Sequence, residues 1–134
     1  MKGRVLADGN ARGVALVLQE PLSMWGGVDP ATGAIIDVRH PQRGTLVNGR
    51  VLVMRSVRGS SSSSSVLAES VRAGCAPSAI LLGEPDLILA VGAAVAEELY
   101  GSRLPVLQLD PNDLASIPDG ASISIVDGGE VSVA

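Results

Sequence analysis

Apolar and polar positions fall into short blocks whose period changes along the chain. Residues 3–8 (GRVLAD) and 13–18 (GVALVL) are aliphatic runs around an Asn-containing turn, which predicts two strands of a hairpin. The apolar run 49–54 (GRVLVM) predicts a strand, and 78–83 (SAILLG) and 105–109 (PVLQL) predict two more. Between these runs the period becomes helical. Val66, Leu67, Ser70, Val71 and Ala73 share one helical face, and Gly74 supplies a stop. Residues 86–101 (DLILAVGAAVAEELYG) form the longest helical stretch, with Ile88, Val91, Val95 and Leu99 predicted as its inner stripe and Gly101 at its end. Residues 121–134 alternate and turn at Asp127-Gly128-Gly129, predicting a closing hairpin.

The stretch between the first strands and residue 49 breaks this rhythm. LSMWGGVDPATGAIIDVRHPQRG is dense in turn signals, at Gly26-Gly27, Asp29-Pro30 and Thr32-Gly33, with a short strand predicted over Ala34–Val38. The order is therefore β-hairpin, turn-rich insert, β–loop–α–β–α–β, and a second hairpin. Strand–helix–strand units of this kind favour right-handed crossovers and a partly parallel sheet, so the fold class is α/β. No internal repeat or break divides the chain, and residues 1–134 read as a single domain.

Six consecutive serines, Ser60–Ser65, look compositionally like a spacer. Context overrules that. Cutting there leaves about 59 residues on one side and about 69 on the other, each with half of the α/β unit and each marginal alone. The serines are the loop between a buried strand and a helix.

Composition narrows the function. The chain has 134 residues, 46% of them apolar, no Phe, and one Trp and one Tyr. Mean hydropathy is +0.36. Such a chain builds its core from Val, Ile, Leu and Ala. No apolar run approaches the roughly 20 residues that span a bilayer, and MKGRVLADGN has no signal-peptide core, so a soluble cytoplasmic protein without a membrane role is expected. A net charge of −4 and the absence of interleaved basic and aromatic residues argue against nucleic-acid binding. With one cysteine, Cys75, and one histidine, His40, a metal site made wholly within this chain is not expected.

The serine loop is the place for chemistry. A helix start presents unpaired N–H groups and the positive end of its dipole, and small hydroxylated residues admit an anion there. Three roles stay open for the serines: capping by Ser64 or Ser65 with the others solvated, anion binding, or a reactive serine. Arg58, just before the loop, fits either an alkoxide or carboxylate partner or a surface ion pair. Trp25 to Pro30 fit either an active-site mouth or a turn packed on the sheet edge, and Asp29 fits an Asx turn. Cys75 reads as a small packing residue past a helix end. His40 reads as a surface or turn residue, and Glu97 and Glu98 as solvent- or partner-facing.

Three stretches, EPLSMWGGVDPATGAIIDVRHPQRG, GRVLVMRSVRGSSSSSSVLAESVRAGCAPSAILL and EPDLILAVGAAVAEELYG, form an ordered set. Together they resemble the small, swivel-type domain of the aconitase X family over about residues 13–110. The resemblance implies a swivelling β/β/α domain and a hydro-lyase in which a larger chain carries an iron–sulfur cluster. The swivel domain then supplies a serine base. In aconitase-like enzymes that serine is the first after a glycine at a loop-to-helix turn, which here is Ser60, following Arg58-Gly59. Ser62 is the second candidate, because a homopolymeric run leaves the register open. The resemblance also implies that Arg58, Gly59, Ser61, Trp25, Gly26 and Gly27 meet the substrate. Aconitases carry an arginine two residues after the serine, where this chain has Ser62, so recognition of a tricarboxylic acid is not carried over.

The implied protein is the small subunit of a two-chain dehydratase acting on a hydroxy acid, with a large subunit as partner and no cofactor bound by this chain alone. The family includes dehydratases of cis-3-hydroxy-L-proline and of phosphomevalonate; the serine-rich loop and Trp25 point towards the former. Two other classes remain as alternatives. Phosphohistidine carrier domains share the β/β/α architecture, although RHPQRG lacks their glycine-rich Thr-Ser-His signature. A non-catalytic interaction domain is the other.

Overall fold

The computed structural model of the chain describes residues 1–58 and 61–134. Seven strands, β1 (Arg4–Ala7), β2 (Ala11–Val17), β3 (Val51–Met54), β4 (Ala79–Leu82), β5 (Val106–Gln108), β6 (Ser122–Val126) and β7 (Glu130–Val133), join in one sheet. Their order is β1-β5-β4-β3-β2-β6-β7. Strands β2 to β5 run parallel, and β1, β6 and β7 attach antiparallel. The partly parallel sheet expected from the strand–helix–strand order is therefore present. The sheet curls until the residues leading into β1 reach β7. Lys2 bridges Glu130, and the N–H of Gly3 donates to the carbonyl of Gly129 at 2.7 Å. A Cβ at Gly129 would lie 2.4 Å from the Gly3 carbonyl oxygen, so that closure needs glycine.

The central strands are buried on both faces and feed two cores. Leu52, Met54, Ile80 and Leu82 face the helices, where Leu67, Leu89 and Ala93 meet them. Val51, Val53, Ala79 and Leu81 face the inside of the curled sheet, against Leu107, Leu114, Ile123 and Ile125. Period-two alternation within continuous apolar runs thus fills both sides of a β/β/α sandwich. Helices α2 (Ser63–Arg72) and α3 (Leu87–Tyr100) form the outer layer. Asp86 caps α3 by accepting from the Leu89 N–H at 2.8 Å, and Gly101 ends it at φ 68°.

Several expectations fail for identifiable reasons. The first two strands do not form a hairpin: β1 pairs with β5, while β2 lies between β3 and β6. The link between them serves another purpose. Asp8 accepts the Gly128 N–H at 3.0 Å, and Asn10 accepts the Asp127 N–H at 2.6 Å, so both side chains hold the β6–β7 turn. Residues 34–38 form no strand. Ala34 and Ile35 make single bridges to different partners, Leu46 and Val28, and the Asp37 carboxylate turns the chain by accepting the Arg39 N–H.

The inner stripe of α3 is also corrected. Leu89, Gly92, Ala93 and Ala96 are buried, while Val91, Val95 and Leu99 are exposed and Ile88 is half-buried. In α2 the buried positions are Ser63, Leu67, Ala68 and Ser70; Val66 and Val71 pack at the margin of the core, and Ala73 is exposed. A short helix that the sequence pattern did not suggest, α4 (Pro111–Ala115), is capped by Asp110 through the Asn112 N–H at 2.9 Å.

Candidate active site

The parallel strands direct their carboxyl ends to one edge of the sheet, where ligands of open α/β sheets bind. A parallel bridge between Leu22 and Val57 extends the β2–β3 pairing beyond the strands. It delivers two segments side by side: the turn that begins at Met24 and the segment that leads through Arg58 into the serine loop. The one-turn helix α1 (Met24–Gly27) is anchored by buried Met24 and Gly27. Between them Trp25 leaves helical geometry at ψ 119°, and Gly26 adopts φ 75°, which favours glycine. Trp25 consequently stands 58% exposed at this edge.

The turn is tied to the serine helix. The backbone N–H of Trp25 donates to the hydroxyl of Ser63 at 3.3 Å, and Ser63 is 1% exposed. This contact was not legible in the sequence. Ser62, rather than Ser64 or Ser65, occupies the N-cap position of α2. The Ser64 hydroxyl instead donates to the Ser61 carbonyl at 3.1 Å, and the Val66 N–H donates to the Ser62 carbonyl at 3.2 Å. Ser61, Ser62, Ser65 and Arg58 are exposed. Gly59 and Ser60 lie outside the described residues. The first turn of α2 carries no acidic residue, so nothing on that turn offsets the positive end of the helix dipole. Exposed hydroxyls, the positive end of a helix dipole, a guanidinium and an aromatic face thus share one edge.

The same edge holds a cavity of about 290 Å³, lined by Val17, Val53, Arg55, Glu84, Pro111 and Leu114 among others. The other singled-out residues lie elsewhere in the fold. Asp29 makes its Asx turn by accepting the Ala31 N–H at 2.9 Å. His40 sits in a turn, as one of its two readings predicts, but is buried there at 5% exposure; Nδ1 accepts the Gln42 N–H at 3.1 Å, and Nε2 meets the Glu20 carbonyl at 3.0 Å. With both nitrogens engaged, the ring offers none to a phosphoryl donor. Cys75 follows the carboxyl end of α2, away from the serine loop, and its thiol donates to the Ala31 carbonyl at 3.2 Å. Among the described residues no three His, Cys, Asp or Glu side chains come together as a metal site. A single thiol at the wrong end of the helix does not fit an iron–sulfur cluster.

Comparison with known proteins agrees with this geometry. The family described as "Aconitase X swivel domain" matches residues 1–133. A cis-3-hydroxy-L-proline dehydratase of Pseudomonas aeruginosa is 49% identical over 117 residues, covering 86% of this chain but 20% of that protein. A phosphomevalonate dehydratase small subunit of Thermococcus sibiricus is 40% identical over 134 residues, covering 99% of this chain and 97% of its own. The crystal structure of Thermococcus kodakaraensis aconitase X in its holo form superposes with a TM-score of 0.86 at 32% identity, covering 99% of this chain and 96% of the matched one. The chain thus spans about a fifth of the hydroxyproline dehydratases and nearly the whole of the small subunits.

Proposed function

Because the chain belongs to the aconitase X swivel-domain family, we propose that it is the small subunit of a two-chain hydro-lyase and that its serine loop supplies the base. The observation that carries this reading is the pairing of the Trp25 turn with the start of the serine helix through Ser63, at the edge where α/β sheets bind ligands. The donors of this chain do not fit an iron–sulfur cluster, so the cluster is assigned to the larger chain. The small chain contributes the proton transfer and part of the substrate wall.

A serine hydroxyl is a weak base until its alkoxide is stabilised. The dipole of the α2 start, with the exposed Arg58 at the head of the loop, provides that stabilisation. Ser60, or Ser62 two residues on, then takes the proton from the carbon next to the substrate carboxylate, while the β-hydroxyl leaves as hydroxide and is protonated from solvent to water. Gly59 and Ser61 are assigned to substrate binding, and Trp25, Gly26 and Gly27 to the facing wall.

The assigned substrate is cis-3-hydroxy-L-proline, supported by the 49% identity to the Pseudomonas dehydratase and by the flat Trp25 side chain as a platform for a ring. A second reading, phosphomevalonate dehydration, is supported by the Thermococcus sibiricus small subunit, 40% identical over 134 residues. No helix among the described residues is long and apolar enough to cross a membrane, consistent with the proposed cytoplasmic site. The test is reconstitution with the large aconitase X-type chain of the same organism, followed by assay of both compounds. Turnover of hydroxyproline only by the pair is expected. Turnover of phosphomevalonate instead selects the second reading, and activity of the small chain alone contradicts both.

A further inference from the structure

Helix α3 is apolar around more of its circumference than its packing uses. Its inner face is made of Leu89, Gly92, Ala93 and Ala96, the last three small enough to bring α2 close. The bulky residues stand outside: Leu87 is 72% exposed, Val91 53% and Leu99 64%, with Val95 between them. At four-residue spacing these make one ridge about 18 Å long. From Leu87 to Ala96 the helix has no charged residue; Glu97 and Glu98 lie in its last turns, where Glu97 pairs with Arg103 at 3.4 Å. A helix apolar all round is ordinarily covered on every side, and an unbroken ridge of this kind marks an interaction surface.

Two observations identify what covers it. The ridge is continuous with the candidate site. Both α2 and α3 start at the carboxyl edge, and Gly92 packs against Ser64 in the first turn of α2, so the head of the ridge lies at the same edge as the start of α2. The second observation is size. In the Pseudomonas relative this domain is 20% of the polypeptide, so about four fifths of that chain remains to be packed against it. We propose that the Leu87–Val91–Val95–Leu99 face of α3 is the seat of the larger aconitase X-type chain. This rests on the two-chain reading and adds the surface that joins the chains.

Single substitutions Val91→Asp and Leu99→Asp test it, with Val126→Asp, an exposed apolar position at the opposite edge, as control. Isolated chains are first checked by circular dichroism, melting and light scattering. Calorimetric titration with the large chain is then expected to show at least tenfold weaker association for both α3 variants and no change for Val126→Asp. With the large chain in saturating excess, kcat returns to the wild-type value, because the ridge does not touch substrate. Unchanged association in both variants overturns the inference while leaving the dehydratase reading standing. A wild-type homodimer that Val91→Asp converts to monomer also overturns it, by assigning the ridge to a second copy. If both compounds go unturned but association still depends on Val91 and Leu99, the inference stands and the substrate assignment fails. No association by the wild type overturns the inference and the two-chain reading together.

Discussion

Gly92 of α3 lies directly against the backbone of Ser64: a Cβ at position 92 would stand 2.9 Å from the Ser64 carbonyl oxygen and 3.1 Å from its Cα. The spacing of the two helices, and hence the position of the serine turn, is set by a missing side chain.

Gly92→Val is therefore expected to push α2 outward at its first turn. Overpacking of this kind costs about 1–3 kcal/mol, and Gly92→Ala falls below that because helix propensity returns about 1 kcal/mol. Melting curves read the stability. Turnover of the reconstituted pair is expected to fall more in Gly92→Val than in a core variant of equal stability loss, because the displaced atoms belong to the serine turn.

The Trp25–Ser63 hydrogen bond makes separable predictions for its two partners. Ser63→Ala leaves the Trp25 N–H without its acceptor and is expected to cost about 1 kcal/mol. Trp25→Ala, at an exposed position, is expected to change stability by no more than about 0.5 kcal/mol. If Trp25 is the substrate wall, that variant raises KM several-fold while binding of the large chain is retained. Steady-state kinetics beside melting curves check both outcomes.

These two contacts also show what the sequence pattern can carry. Strands β3 and β4 were legible because continuous apolar runs have few alternatives in a chain of this composition, and the loop-to-helix position of the serines followed from them. The packed face of α3 was not legible. Both of its faces are apolar, and the choice between them depends on Gly92 meeting Ser64, a contact between distant residues. The β1–β2 link misled for a similar reason: Asp8 and Asn10 carry turn-forming side chains, yet spend them on the β6–β7 turn. Helix α4 had a local signal, Asp110 before Pro111, but its five residues are too few for a period to register. At the site, the loop, Arg58 and the Trp25 turn were visible as motifs, while the Ser63 link between them exists only in three dimensions.

Acid stability tests the Asp8 anchor. Its carboxylate accepts the N–H groups of Gly128 and Gly9, which hold its pKa below the ordinary value of 3.8. A carboxyl whose folded pKa is depressed stabilises the protein above its unfolded pKa, and that contribution is lost as pH falls through the folded value. Asp8→Asn is thus expected to lower the melting temperature at neutral pH, with the gap to wild type closing as pH falls below that of an ordinary carboxylate. A gap independent of pH would contradict the role of the charge.

His40 pins the insert to the end of β2. Gln42 donates to Nδ1, which places the ring proton on Nε2 facing the Glu20 carbonyl. Removing both bonds in His40→Ala is expected to destabilise the fold by about 2 kcal/mol. Incubation of the folded protein with phosphoenolpyruvate and its phosphotransfer enzyme is expected to leave no acid-labile phosphate, since neither ring nitrogen is presented to a donor.

The most direct measurement compares Ser60→Ala and Ser62→Ala in the reconstituted pair, with association and turnover measured on the same preparations. With Ser60 as the base, Ser60→Ala is expected to keep full association while turnover falls by at least 10³-fold, on the order of the upper half of what a positioned proton-transfer group contributes. Ser62→Ala in that experiment retains most of the rate. Wild-type turnover in both variants would contradict a catalytic role for the loop.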